Sequence, residues 1–341
     1  MTTNPSALRD SVKKFCTDIG ADPLLVQGAG GNVSWKDEDV LWIKASGTWL
    51  AEAQEKDIFV PVALSKLRSS ITSGDFSAKP ELLIETSLKP SIETILHALM
   101  PHRVVAHLHA IEILFHLVKN NFVDLFETHI PKSVQWVYAE YKKPGEELAR
   151  VVNNALSLKN ANVVFLQNHG VVIGGDSTDE IFSTLNILID GLKATLPRQI
   201  NKQIDFDSIT TGPEATYILF PDNEIHELVH HPEYFYSLKK QWALYPDHVV
   251  FLGARPFTYT SKDQFLSSIL NNKETPDLVF IKNTGVYIKE NFSIAKRVQL
   301  RCYYDVLIRL QGNESLHSLT PKQIAELLNW DAEQYRMSIA R

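Results

Sequence analysis

Cysteine is scarce in this chain: the 341 residues include only Cys16 and Cys302. Two cysteines are too few for a disulfide framework or a CxxC metal site, so a reducing, cytoplasmic location is expected. No apolar run reaches the roughly 18 residues of a membrane span, and the first residues lack the apolar core of a secretion signal. The net charge of −6 gives no indication of a nucleic-acid or anionic-membrane partner.

What the chain does contain is a regular alternation of helix-like and strand-like segments, which predicts an α/β fold long enough for two domains. Helices are predicted over 8–21, 91–100, 146–158 and 177–196, and strands over 40–47, 103–110 and 162–175. Ser91 is the expected N-cap of its helix, with Glu93 in the first turn. The polar segment 197–216 breaks the alternation, so the predicted domains are 1–200 and 201–341.

An internal repeat links the two halves. NVVFLQNHGVVI at 162–173 aligns with DLVFIKNTGVYI at 277–288, with six of twelve positions identical. The offset is too long for a solenoid and indicates a partial duplication of a strand–turn–strand–helix unit. His169 of the first copy becomes Thr284 in the second, and the second copy has no counterpart of the HLH motif. Only the first half is therefore expected to carry chemistry.

Three histidines form the main candidate site. His107 and His109 stand one residue apart in the apolar run VVAHLHA, where a strand directs both side chains to one face. His169 follows another predicted strand, and three neutral imidazoles suit a catalytic zinc that keeps one open position. HxH alone fits two separately satisfied core histidines equally well. The replacement of His169 in the repeat shows that the turn itself needs no histidine, which favours a metal.

Glu93 is the candidate acid or base. A carboxylate in the first turn of a helix usually compensates the helix dipole. Beside a zinc that polarises a carbonyl, however, the reaction needs a group that exchanges protons with the substrate.

Two turns rich in small residues are candidate anion sites. QGAGGNVS at 27–34 is not a dinucleotide-binding fingerprint, because Val33 stands where the third glycine belongs and a strand follows. Its glycines with Asn32 and Ser34 could form a backbone nest for phosphate, as could the KASGTW turn next to Lys44. Taken alone, each turn is more often a tight connection than a ligand-binding site.

HELVH at 226–230 matches the letters of the zinc-peptidase motif HExxH. Pro232 follows almost at once and should end any helix there, and no third ligand follows clearly. A peptidase is therefore not expected.

Together, these segments resemble the class II aldolase/adducin family. The family pattern is present as GAGGNVS, KASGTW, KPSIE, HLH and QNHG, in that order across residues 28–170. In the second half, LYPDHVVFLGARPF and the NTG repeat resemble the aldolase portion of bifunctional rhamnulose-1-phosphate aldolase/dehydrogenase proteins.

The resemblance implies a three-layer α/β/α sandwich with a mainly antiparallel central sheet, plus a smaller C-terminal region that partly repeats it. It implies one Zn²⁺ per chain on His107, His109 and His169, and acid/base catalysis by Glu93. The implied contacts to a substrate phosphate are Asn32, Ser46, Gly47, Thr48 and Ser91. Family members also form homo-oligomers in which a neighbouring subunit donates a tyrosine, for which Tyr138 and Tyr141 are the candidates.

The activity that the resemblance implies is cleavage of a ketose 1-phosphate, such as rhamnulose 1-phosphate, to dihydroxyacetone phosphate and an aldehyde through an enediolate. Ile92 stands where simpler sugar-phosphate aldolases of the family have a second serine, which weakens the expectation of a phosphorylated substrate. Two alternatives stay open. One is another zinc-enediolate reaction, namely 4-epimerisation, dehydration or decarboxylation of a sugar acid derivative, and the other is a non-catalytic, adducin-like scaffold.

Overall fold

Twelve strands are present in the computed structural model, which describes residues 5–196, 208–210, 216–272, 275–310, 312 and 314–339. They are β1 (Asn32–Asp37), β2 (Val40–Lys44), β3 (Phe59–Ala63), β4 (Val104–Leu108), β5 (Trp136–Ala139), β6 (Val163–Leu166), β7 (Gly170–Gly175), β8 (Ser208–Thr210), β9 (Thr216–Leu219), β10 (Thr258–Tyr259), β11 (Leu278–Ile281) and β12 (Gly285–Lys289).

Fourteen α-helices lie before, between and after the strands of the described chain. They are α1 (Pro5–Gly20), α2 (Leu64–Thr72), α3 (Thr94–Leu99), α4 (Ile111–Leu117), α5 (Phe122–His129), α6 (Glu146–Leu158), α7 (Thr178–Leu192), α8 (Glu227–His230), α9 (Pro232–Lys240), α10 (Pro246–Leu252), α11 (Lys262–Asn272), α12 (Ile294–Leu307), α13 (Pro321–Leu328) and α14 (Asp331–Ile339). Two short 3₁₀ turns cover Leu50–Glu52 and Asn223–His226. Within the described ranges, no helix is long and apolar enough to cross a membrane.

The contacts of the chain divide it into two compact units. The first comprises Met1–Ala194 and Asn329–Ala340, and the second is essentially Thr195–Leu328. The C-terminal helix α14 therefore packs with the first unit. Most of the polar segment 197–216, where the sequence places its boundary, lies outside the described residues, and the division into 1–200 and 201–341 stays a prediction.

The first unit is built on a seven-stranded sheet in the order β3-β2-β1-β4-β7-β6-β5, in which only the β5–β6 pair is parallel. Alternate side chains of β1, β4, β6 and β7 pack on helices α1, α4, α5 and α7 on one face. The intervening side chains pack on α2, α3 and α6 on the other face. Helices cover both faces of the sheet, which confirms the predicted α/β/α sandwich around a mainly antiparallel sheet.

The second unit repeats the central part of the first. Its five strands lie in the order β10-β11-β12-β9-β8, which corresponds strand for strand to β5-β6-β7-β4-β1. The β10–β11 pair is parallel and the others are antiparallel, as in the first unit. The alignment of 162–173 with 277–288 detected only two of these strands. The fold confirms the repeat and extends it to all five.

Sequence and structure differ at the helix before β4. The sequence predicts that this helix begins at Ser91, but the regular helix α3 begins at Thr94. Glu93 is its N-cap residue, although the Glu93 side chain makes no capping hydrogen bond. Ser91 instead accepts a hydrogen bond from the backbone N–H of Glu93 at 3.2 Å. The extra turn places the Glu93 side chain at the end of the sheet rather than on the exposed surface of a helix.

HELVH does not form a metal-binding helix. His226 ends a 3₁₀ turn and is buried, with Nε2 donating to the carbonyl of Phe220 and Nδ1 accepting from the N–H of Val286. Both ring nitrogens are therefore used to join the turn to the second sheet. The short helix α8 ends at His230, before Pro232 begins the next helix.

His248 on α10 is fully buried against the rings of Trp242 and Tyr303, and neither of its nitrogens has a hydrogen-bond partner. Burial lowers the pKa of His248 to about 3. Its folded pKa therefore lies below the unfolded value of about 6.5, so the unfolded chain binds a proton that the folded chain does not over the intervening pH range. Stability should fall as the pH falls below 6.5.

We expect His248→Phe to make the second unit less sensitive to acid. In the wild type, the proton that this residue takes up on unfolding should lower the free energy of unfolding by about 2 kcal/mol at pH 5 relative to pH 7. Urea unfolding at the two pH values measures the loss, with exposed His231→Gln as the control. An equal loss of stability in His248→Phe and wild type would contradict the prediction.

Candidate metal centre

His107 and His109 are placed at the end of the central strand β4. His107 lies within the strand, and His109 follows it directly after Leu108. Their Nε2 atoms are 3.1 Å apart, and both side chains are buried. His107 Nδ1 lies 3.2 Å from the carbonyl oxygen of Val171 on the neighbouring strand. Donation from Nδ1 to this carbonyl leaves the lone pair of Nε2 for a metal.

His169 reaches the same point from the tight turn between β6 and β7. Asn168 before it has a positive φ of 56°, and the N–H of His169 donates to the carbonyl of Leu166 at 3.0 Å. Asparagine tolerates this left-handed conformation better than most residues, which explains its place in the QNHG motif. The second copy retains the turn, with Asn283 also at 56°, so the turn geometry does not depend on the histidine.

One nitrogen from each of His107, His109 and His169 lies within 4.8 Å of the others, and all three side chains are buried. In the part of the chain that the structure describes, this is the one cluster of its kind. Two nitrogens bound to one tetrahedral zinc would be roughly 3.3 Å apart, close to the His107–His109 separation. Imidazoles without a cysteine also suit zinc or another first-row transition metal. The donor set therefore fits a metal ion.

Glu93 lies against the same nitrogens. Its Oε1 is 3.5 Å from His169 Nε2, and its Oε2 is 3.5 Å from His107 Nε2. Burial by itself raises the pKa of Glu93, but positive charge on His107 and His169, together with the Asn32 amide, outweighs burial and lowers the pKa to about 2. The buried carboxylate is therefore ionised, and its Oε1 has no hydrogen-bond partner among the residues that the structure describes.

Asn32 lies on β1 directly opposite His107 of β4. Its Nδ2 donates to Glu93 Oε2 at 2.8 Å, and its Oδ1 contacts His97 Nε2. His97 Nδ1 in turn lies 2.7 Å from Ser34 Oγ. The side chain of Asn32 is thus directed at the carboxylate of Glu93, and its predicted contact with a substrate anion stays a prediction.

Sequence reasoning missed His97 as a part of this site. The available signal was its spacing: His97 is four residues after Glu93, and Ser34 is two residues after Asn32. A spacing of four on a helix and two on a strand places each pair on one face.

The structure brings together four of the five predicted anion contacts, namely Ser46, Gly47, Thr48 and Ser91. A backbone bridge pairs Ala45 with Pro90, so the turn after β2 lies beside the segment that leads to Ser91 and Glu93. The hydroxyl of Thr48 is engaged with the carbonyl of Ala45 at 2.7 Å. The turn therefore lies beside the segment that carries Glu93. Its role in binding a substrate anion stays a prediction.

Helix α14 contacts this turn. A Cβ atom on Gly47 would lie 2.2 Å from Cδ1 of Ile339, so the glycine allows the helix to approach the turn directly. The ammonium group of Lys89 lies 3.9 Å from the centre of the Tyr335 ring. The packing of residues near 335 beside a turn near 47 could not be predicted, because no sequence pattern connects these two segments.

The two candidate tyrosines differ in exposure. Tyr138 lies on the edge strand β5, is 41% exposed and packs its ring on Phe122. Tyr141 is buried, and its backbone N–H donates to Gln167. Only Tyr138 has the exposure that would let its ring serve a neighbouring subunit.

Gly170→Ala should damage the centre without removing a ligand. Its Cβ would lie 2.3 Å from the carbonyl oxygen of Leu108 and about 3 Å from the rings of His107 and His109. We expect β4 and β7 to separate at this point, which should lower the free energy of unfolding by about 1–3 kcal/mol. Metal affinity should fall as well, because the histidines lie at the same point.

Gly285→Ala is the matched control, because Gly285 holds the corresponding position in the second copy. Its Cβ would meet the side-chain end of Leu219 instead of a carbonyl and two histidines. Metal content after dialysis should fall in Gly170→Ala and stay at the wild-type level in Gly285→Ala. Equal metal content in the two variants would rule out the proposed sensitivity of the histidine cluster.

Comparison with known proteins places this site in a family. A family model described as the class II aldolase and adducin N-terminal domain matches residues 14–195, more than half of the chain. The protein named "Uncharacterized oxidoreductase YuxG" from Bacillus subtilis (strain 168) is 25% identical over 201 residues. That match covers 54% of this chain and 29% of the relative, so the chain spans less than a third of the curated relative.

Solved structures of similar proteins match a little more than half of the chain. The N-terminal class II aldolase domain of a conserved protein from Thermoplasma acidophilum is 25% identical with a TM-score of 0.48, and the match covers 57% of this chain and 95% of that one. A sugar-phosphate aldolase from Thermotoga maritima is 18% identical with a TM-score of 0.43, over 55% and 92% of the two chains. On the family model, whose matched range in this chain includes the three histidines and Glu93, the chain belongs to the class II aldolase and adducin family.

Proposed function

We propose that this protein is a zinc-dependent lyase that cleaves a ketose 1-phosphate, of the rhamnulose 1-phosphate type, to dihydroxyacetone phosphate and an aldehyde. The observation that carries the proposal is the buried carboxylate of Glu93, which lies 3.5 Å from two of the three converging histidines. A non-catalytic scaffold has no need to bury an ionised carboxylate there, because burying one costs free energy unless partners compensate it.

His107, His109 and His169 would hold one Zn²⁺ per chain. When bound, the ion supplies a Lewis acid that polarises the substrate carbonyl. Metal ligation requires neutral imidazoles, and protons leave the histidines when it occurs. The bound ion would then replace the protonated imidazoles as the positive charge beside Glu93. The carboxylate would stay ionised and able to act as a base.

In the synthetic direction, Glu93 removes a proton from the carbon next to the carbonyl of dihydroxyacetone phosphate. In the cleavage direction, the C3–C4 bond of the ketose breaks and the C4 hydroxyl loses its proton as the aldehyde forms. That proton passes to the Glu93 carboxylate, which delivers it to C3 of the enediolate, so that no net proton is gained or lost. Oε1 is the oxygen available for this exchange, because Oε2 already accepts from Asn32. Tyr138 of a neighbouring subunit is our candidate for the group that exchanges a proton with the C4 oxygen. This role implies a homo-oligomer.

The substrate anion is assigned to the turn 46–48 and to Ser91. Ser91 is buried, and its hydroxyl accepts from the Glu93 N–H and can donate its own proton to a ligand. The buried ammonium of Lys44 donates to the carbonyl of Ala29 at 3.2 Å, which keeps a positive charge between this turn and the glycine-rich turn. Both features favour an anionic sugar derivative.

Glu93→Gln should retain zinc and lose turnover. The amide keeps the shape of the carboxylate but cannot take up a proton, so we expect kcat to fall by roughly 10²–10⁴-fold. Metal analysis and a coupled assay for dihydroxyacetone phosphate measure the two properties, with Glu147→Gln on the exposed surface of α6 as the control. Unchanged turnover in Glu93→Gln would disprove the assigned role.

The substrate class needs a separate experiment, because Ile92 replaces a serine of the simpler family aldolases. A panel of ketose 1-phosphates, free ketoses and sugar acids, each tested with the zinc-loaded protein, separates aldol cleavage from epimerisation, dehydration and decarboxylation. Cleavage of ketose 1-phosphates alone supports the proposal. Turnover of sugar acids alone would replace it with one of the other enediolate reactions, and absence of stoichiometric zinc would favour a scaffold.

A further inference from the structure

The hydrogen-bond chain behind Glu93 has only one consistent direction. An ionised carboxylate accepts hydrogen bonds and cannot donate them, so the atom of Asn32 that faces Glu93 Oε2 at 2.8 Å must be the amide nitrogen. The amide oxygen then faces His97 Nε2, which must carry a proton to donate to it. His97 Nδ1 is left as an acceptor, and Ser34 Oγ donates to it at 2.7 Å.

The opposite tautomer is incompatible with these contacts. If Nδ1 of His97 carried the proton, Nε2 could only accept, and the Asn32 amide would have to turn its nitrogen towards the ring. The amide oxygen would then face the Glu93 carboxylate, and two acceptors would oppose each other in a buried site. His97 and Ser34 are both fully buried, so water cannot relieve such a conflict.

We propose that His97 and Ser34 are positioning residues that orient Glu93 through Asn32. Ser34 sets the tautomer of His97, His97 sets the orientation of the Asn32 amide, and the amide holds Oε2 of Glu93. Oε1 is thereby left pointing at the histidine cluster without a competing hydrogen bond. This inference rests on the proposed role of Glu93 as the proton-exchanging group.

The surroundings of His97 support a neutral, structural imidazole. Burial lowers the pKa of His97 to about 3, against the opposing effect of Glu93. The ring therefore does not carry positive charge at neutral pH, and it acts through the direction of its hydrogen bonds. Its position on α3, one turn after Glu93, ties the carboxylate and its support to the same helix.

The direct test is the tautomer of His97 in the zinc-loaded wild-type protein. Nitrogen-15 NMR with labelled histidine, assigned by comparison with His97→Gln, distinguishes a proton on Nε2 from one on Nδ1. We expect the Nε2–H form. An Nδ1–H form or an imidazolium at pH 7 would overturn the proposal. This measurement uses no substrate, so it stands even if the proposed lyase activity proves wrong.

A matched pair of variants tests the catalytic consequence. In His97→Gln the amide nitrogen can replace Nε2–H as the donor to Asn32, whereas the shorter side chain of His97→Asn cannot reach that position. We expect His97→Asn to lower kcat by about 10–100-fold with little change in KM or zinc content, and His97→Gln to restore most of the loss. His116→Gln, at a half-buried histidine bonded to the Leu192 carbonyl, controls for general damage. Equal losses in the two His97 variants would contradict the proposal.

A double-mutant cycle shows whether His97 acts through Asn32. In an Asn32→Ala background the intermediate link is absent, so adding His97→Asn should change kcat by less than about twofold. Fully additive losses would mean that His97 acts on the site by another route. If Glu93→Gln keeps full activity while the tautomer is Nε2–H, the positioning chain survives and the proposed function fails.

Discussion

The buried negative charge of Glu93 is the constraint on which the rest of the first unit depends. An ionised carboxylate removed from water costs several kcal/mol unless charge and hydrogen bonds compensate it. Here the compensation comes from His107, His169 and the Asn32 amide, which together overcome the effect of burial on its pKa. Each partner lies on a different element, so the carboxylate can be stable only when α3, β1, β4 and the turn before β7 are all in place.

The central position of β4 explains how these elements meet. Its neighbours are β1 on one side and β7 on the other, and both pairings are antiparallel. Antiparallel neighbours bring the start of one strand to the end of the next, so Asn32 at the start of β1 and His169 just before β7 both lie beside the HLH motif at the end of β4. The site is therefore a property of the strand order rather than of any one loop.

The second unit shows that the same framework folds without the site. Its sheet has the same order, and the strand pairing places Leu219 where the first unit has His107 and Thr284 where it has His169. Apolar and hydroxyl side chains remove the need for a buried charge, and no counterpart of the metal cluster exists among the described residues. The strand order by itself therefore does not require the polar cluster of the first unit.

The sequence by itself determined the family, the layered α/β class, the repeat, and the four residues His107, His109, His169 and Glu93, because each has a local signature in spacing or motif. The exact start of α3 was not predictable, since the turn at Ser91 and Glu93 competes with the helix for the same backbone groups. Only the tertiary structure decided that Asn32 faces Glu93, that His97 and Ser34 stand behind it, and that α14 reaches Gly47. These contacts join residues 61 to 292 positions apart, and no periodicity or local preference encodes which distant side chains share a buried polar network.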